Sequence, residues 1–80
     1  MSNTIICEPC YIFWRTFDRE PHHRQFYSHS HAQAAIDQLR EDQSVTLISF
    51  YIFDTQTQRY KLHAAWTRPS RTKPMQAVII

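Results

Sequence analysis

The stretch Val45 to Trp66, VTLISFYIFDTQTQRYKLHAAW, is the longest run of apolar, β-branched and aromatic residues in the 80-residue chain, and it reads as two strands joined by a turn. On the first strand Thr46, Ile48, Phe50 and Ile52 share one side and Val45, Leu47, Ser49, Tyr51 and Phe53 the other, because successive side chains point to opposite faces. Both sides are apolar. That is the pattern of a strand in the middle of a sheet, with each face either covered or offered to a partner. The second strand sets Tyr60, Leu62, Ala64 and Trp66 against Arg59, Lys61, His63 and Ala65, a half-solvated alternation. Between the strands, Asp54, Thr55, Gln56 and Thr57 are turn formers without a glycine, which predicts a four- or five-residue loop around a type I turn.

Upstream, IICEPCYIFWRTF is rich in strand formers but interrupted by Pro9, so a regular strand is expected from about Tyr11, with Ile5 to Cys10 as an edge segment. Its alternating sets are Tyr11, Phe13, Arg15, Phe17 and Ile12, Trp14, Thr16, Asp18, and periodicity does not say which faces the core. Asp18-Arg19-Glu20-Pro21 signals a turn, and His23 to Ser28 reads as a return strand. Ser30 followed by Gln33 fits a capping box, after which Ala32, Ala35, Ile36 and Leu39 form one apolar helical stripe, ending near Gln43. The predicted class is therefore α+β: a small antiparallel sheet of order β-β-α-β-β with one helix packed on one face. Residues 1–80 form a single domain in this reading, with 67–74 as a basic, proline-containing linker. The final Met75 to Ile80 reads as a short fifth strand or as a tail that orders on a partner.

Glycine is absent from the chain, which removes phosphate-cradling Gly-rich loops and the nucleophile elbow of hydrolases. With no long apolar run and no basic-plus-apolar leader pattern, the expectation is a cytoplasmic protein that does not enter a membrane. A domain of this length buries only about 60 to 65% of the surface its unfolded chain exposes, so extra stabilisation from a metal, a disulfide or a second subunit is worth seeking. Two Trp, four Tyr and five Phe are more than one helix can cover, which favours a homodimer or a protein partner.

Cys7, Cys10, His23 and His29 match the spacing C-x2-C-x12-H-x5-H and in this resemble the zinc ligands of classical zinc fingers, which implies zinc as a cofactor and a metal-stabilised fold. The finger's helix would fall where Pro21 and RQFYS stand. Cys-Glu-Pro-Cys is also similar to the thioredoxin redox motif, but a strand pattern follows it where a helix would lower the thiol pKa. No spacing brings a nucleophile to a base, and no enzyme activity is expected.

Charge is uneven. Residues 1–54 hold all seven acids against four arginines, while residues 55–80 hold five cations and no acid. Arg59, Lys61, His63, Arg68, Arg71 and Lys73, with Tyr51 and Phe53, are the candidate partner-binding residues: the cations could follow phosphates and the aromatic rings could stack or anchor. In size and layout, the strand pair around YIFWRTFDREPHHRQFY, the helix SHAQAAIDQLRED and the long hairpin resemble the small inhibitors of phages and mobile elements, anti-CRISPR proteins among them. That resemblance implies a non-catalytic protein that blocks a host nucleoprotein complex by occupying a surface. A nucleic-acid-binding domain, zinc-stabilised through the cysteines, is the alternative expectation.

Overall fold

β3 (Val45–Asp54) is the centre of the molecule in a computed structural model, which describes residues 8–79. In chain order the elements are β1 (Cys10–Thr16), β2 (Pro21–Phe26), α1 (His29–Glu41), β3, β4 (Arg59–Thr67) and β5 (Gln76–Ala77). They form one sheet of order β2-β1-β3-β4-β5 in which every neighbouring pair is antiparallel. The α+β class and the β-β-α-β-β order are as the sequence predicts, and the apolar C-terminus adds a two-residue fifth strand.

Register decides which face is which. Cys10 lies opposite Ile52, Ile12 opposite Phe50 and Trp14 opposite Ile48, and these residues face α1. Ala32 and Ile36 of the helix are fully buried against them, with Ala35 and Leu39 packed alongside, so the predicted stripe is the buried one. Each fully buried Ile or Val contributes roughly 1.5–3 kcal/mol relative to exposure. With Ile12, Ile36, Ile48, Val45 and Cys10 as the largest fully buried side chains, the core lies on one side of the sheet only.

Two irregularities re-aim side chains that strict alternation misassigns. Between β1 and β3 the pairing shifts after Arg15, passing over Thr46, which turns Val45 into the core instead of onto the side of Leu47. Between β3 and β4 it shifts again after Phe50, passing over His63, so that Ala64 and Trp66 face the helix while Leu62 and Tyr60 face away from it. The predicted common face of Tyr60, Leu62, Ala64 and Trp66 is therefore divided at the bulge.

Local boundaries differ in small ways. β2 begins at Pro21, not His23, because Pro21 pairs with Arg15 at the sheet edge, where its missing N–H costs nothing. The helix starts at His29 with Ser28 as N-cap, and the Ser30–Gln33 box does not form: Ser30 lies inside the first turn and Gln33 donates to Asp37 at 3.0 Å. The β3–β4 loop has four residues, 55–58, as expected. The Asp54 carboxylate accepts from the Gln56 N–H at 3.0 Å and the Thr57 hydroxyl at 3.2 Å, and Gln58 takes the left-handed φ of 59° that a glycine would ordinarily supply.

The predicted solvated linker is not one throughout. Arg68 is 6% exposed and its guanidinium donates to three carbonyls: Val45 at 3.1 Å, Lys73 at 2.8 Å and Arg40 at 2.7 Å. One side chain thus ties the end of α1, the start of β3 and the chain after β4, satisfying a helix carbonyl that has no intrahelical partner.

Candidate functional site

The face of the sheet turned away from α1 has no covering element among the described residues. It is built in cross-strand rows. Arg15 and Leu47 form one, Phe13, Ser49 and Ala65 the next, Tyr11, Tyr51 and Leu62 a third, and Phe53 with Tyr60 the last. Strand alternation places all of them on one side once the two bulges are counted.

The last two rows make a packed aromatic cluster. Tyr11 and Tyr51 stack at 4.6 Å with their planes 12° apart, Tyr11 meets Tyr60 edge to face at 4.9 Å, and Phe53 meets Tyr60 edge to face at 5.2 Å. Gln25 of β2 donates to the Tyr60 hydroxyl at 2.9 Å and to the Cys10 carbonyl at 3.0 Å, fixing the cluster's outer border. Burial, followed by the neighbouring Tyr51 and Tyr60, pushes the Tyr11 hydroxyl above its ordinary pKa. The rings stand against one another, so Tyr11 and Tyr51 use ring faces internally and present edges and hydroxyls outward. Leu62 and Tyr60 remain 41% and 37% exposed.

The opposite end of this face carries Arg15, which lies over Phe13 at 5.9 Å. Beyond the strands, Arg71 lies over Phe17 at 5.4 Å while pairing with Asp18 at 3.6 Å. No Asp or Glu occupies a position of β1 to β4 on this face, since Asp54 falls on the helix side opposite Arg59. Both long edges of the sheet carry guards against strand addition: Pro21, His22, His23 and Arg24 on β2, and Arg59, Lys61 and a bulge on β4.

Among the residues expected to bind a partner, Tyr51 and Phe53 lie in the aromatic cluster. Arg59 and Lys61 lie on the helix side of β4, beyond the end of the core, and Lys61 pairs with Asp54 at 2.8 Å. That hydrogen bond is the main reason the Asp54 carboxyl sits below its usual range. His63 lies on that same helix side. It sits at the bulge with its ring edge-on to Phe50 at 5.8 Å. Arg68 is the buried staple described above and is withdrawn as a contact residue: a guanidinium holding three carbonyls is not available to a partner. Arg71 is engaged with Phe17 and Asp18, and Lys73 is exposed. The five C-terminal cations therefore do not make one phosphate-tracking stripe. Of the two alternating sets of β1, that of Ile12 and Trp14 turns to the helix side, where Trp14 stacks on His22 at 5.3 Å. Leu62 was missed because simple alternation groups it with Ala64 and Trp66, and nothing in the residue string announces the bulge.

The zinc-finger set is not assembled. Cys7 lies outside the described residues. Cys10 points to the helix side, opposite Phe26, whereas His23 lies opposite Phe13 on the uncovered side, so strand alternation holds the two apart. His29 opens α1, with its Nδ1 3.3 Å from a Glu8 oxygen and its ring edge-on to Phe50 at 6.3 Å. Among the described residues no group of three or more His, Cys, Asp or Glu is placed to hold a metal. Cys10 donates weakly to the Phe26 carbonyl at 3.8 Å, and burial, with Glu8 adding, raises its thiol pKa, the reverse of an activated redox cysteine. No helix among the described residues is long and apolar enough to cross a membrane. Compared with protein families, curated proteins and solved structures, the chain matches none.

Proposed function

We propose that this chain is a non-catalytic binding module that acts by covering a surface of another macromolecule, with the uncovered sheet face as the part it presents. The observation that carries this reading is the aromatic cluster of Tyr11, Tyr51, Phe53 and Tyr60 on a face with no helix over it. Rigid tyrosines with one polar tip, flanked by arginine, are the residues that dominate protein–protein hot spots. Tyr11 and Tyr51 stack on each other, not outward, and the C-terminal cations are dispersed, which favours a protein surface over a nucleic acid strand. The absence of strand carboxylates on this face, together with Arg15 at one end, suits a partner surface that is apolar with acidic groups at its border. An inhibitor of a host nucleoprotein complex, of the anti-CRISPR type and acting in the cytoplasm, fits this mode of action, and that finer assignment rests on the layout of the small inhibitors alone.

The test is capture from a host extract by the wild-type protein, by Leu62→Arg and by the Arg59→Glu, Lys61→Glu pair. Leu62→Arg should abolish capture while its circular dichroism stays native, and the β4 charge reversals should weaken it less. Capture that survives Leu62→Arg removes the sheet face from the account. Binding of a single-stranded oligonucleotide with steep salt dependence would replace the protein partner with a nucleic acid.

A further inference from the structure

We propose that the groove between α1 and β2, on the helix side of the sheet, binds a small organic acid: an apolar body of one ring or a short branched chain, carrying a carboxylate that Arg24 holds.

The groove follows from where the helix lies. α1 packs Ala32 and Ile36 into the core over β1 and β3, and the helix-side residues of β2, His22, Arg24 and Phe26, fall outside that contact. On the helix flank Ala35 lines the space and is too short to close it. What remains is a cavity of about 240 Å³ whose floor is the fully buried Ile12 and whose walls are the half-buried Trp14, Phe26 and Leu39. Concave apolar walls with a few polar groups at the rim are the general form of a small-molecule site. The volume lies below the ~300 Å³ at which drug-sized sites begin, which limits the body to one ring or a short chain.

Charge selects the head group. The Arg24 guanidinium lies over the Phe26 ring at 5.0 Å, a stack that leaves its N–H edges available. The ion pairs among the described residues join Glu20 to His22, Glu8 to His29, Asp54 to Lys61 and Asp18 to Arg71, and none reaches Arg24. An uncompensated guanidinium at the lip of an apolar cavity matches an anion tied to an apolar body, and a planar carboxylate accepts two of its N–H groups.

Orientation follows as well. The one acid at the rim, Asp42, stands at the far end beside Leu39, where its carbonyl accepts from the Val45 N–H and its carboxylate is bonded to Ser44. It repels a carboxylate from that end, so the ligand's body lies over Ile12 between Trp14 and Leu39 and its head points to Arg24. Past Arg24 the groove continues between Phe26 and His31 with no acid lining it.

The test is amide NMR of the full chain titrated with phenylpropionate, with phenylpropanol as the uncharged probe of the same body. Phenylpropionate should shift the signals of Trp14, Ala35 and Leu39 saturably with a Kd of about 1 mM, the range of a ligand this small. Arg24→Gln, otherwise native in its spectrum, should weaken phenylpropionate about fivefold or more, while the alcohol binds both proteins equally weakly. Ala35→Leu, which fills the space, should abolish binding of both probes; if it does not fold, the Arg24→Gln comparison decides alone. Shifts that fail to saturate by about 20 mM, or that map elsewhere, overturn the site. Equal binding of phenylpropionate to wild type and Arg24→Gln overturns the acid. A capped phenylalanyl-aspartyl peptide that shifts the same signals at about tenfold lower concentration replaces the free acid with a peptide partner. Each of these outcomes is separate from the reading of the uncovered sheet face, because Leu62 lies on the other side of the sheet.

Discussion

Arg68 reaches across the end of the helix layer and donates to the backbone carbonyl of Arg40 at 2.7 Å, so a side chain from the segment after β4 finishes a helix that closed nearly thirty residues earlier. The same guanidinium holds Val45 and Lys73, and its burial leaves these three carbonyls dependent on it.

Arg68→Ala should therefore be among the most damaging single substitutions in the chain. Losing charge-assisted bonds and leaving part-buried carbonyls unpaired costs about 2–4 kcal/mol. In a domain this small that lowers Tm by roughly 10–25 °C. Arg68→Lys should recover little, because an ammonium cannot match a planar fork aimed at three separate oxygens. Thermal unfolding by circular dichroism checks both, and a Tm within a few degrees of wild type would show that the staple is dispensable.

Cys10 should resist alkylation in the folded protein. It is fully buried, and burial raises the pKa of the thiol, so little thiolate is present or reachable at neutral pH. Peptide mapping after iodoacetamide treatment should show Cys10 labelled only in denaturant. Fast labelling under native conditions would mean that the β1 end opens readily.

Asp42 makes stability pH-dependent on the acid side. Its carboxylate accepts from the Ser44 hydroxyl at 2.7 Å and the Ser44 N–H at 2.9 Å, and these bonds hold its pKa below the ordinary 3.8. A depressed folded-state pKa stabilises the fold above the unfolded value, and the contribution disappears as pH falls through the folded value. Melting temperature should hold from pH 7 to about 5 and decline below 4. Asp42→Asn should flatten that decline, and because the group is exposed the change should be small.

Tyr11 gives the mirror case at high pH. Its pKa is raised, first by burial and then by Tyr51 and Tyr60, so the folded state keeps the proton longer than the unfolded one. The resulting stability is present below the unfolded value near 10 and is lost as pH rises through the raised one. Absorbance titration should show one tyrosine ionising late, and Tyr11→Phe should remove that late step. If all tyrosines ionise together with the fold intact, the cluster is looser than its 4.6 Å stack implies.

The sequence by itself determined the elements and their order. Period-two runs in Val45–Asp54 and Arg59–Thr67, the stripe of Ala32, Ala35, Ile36 and Leu39, and a polar turn at Asp54 are local patterns, and local patterns are enough to mark where each element lies and of which type it is. It also showed that aromatics outnumber what one helix can cover. Tertiary structure decided which way they point. Passing over Thr46 and His63 in the two β3 pairings swung Val45 inward and set Leu62 and Tyr60 beside Tyr51, and such a shift depends on what the neighbouring strand offers, not on the strand's own residues. Arg68 reads as a linker cation until three carbonyls from distant parts of the chain converge on it. Cys10 and His23 read as a metal-ligand pair until the pleat sends them to opposite sides of the sheet. In each case the deciding contact joins residues far apart in the chain, and only the folded register brings them together.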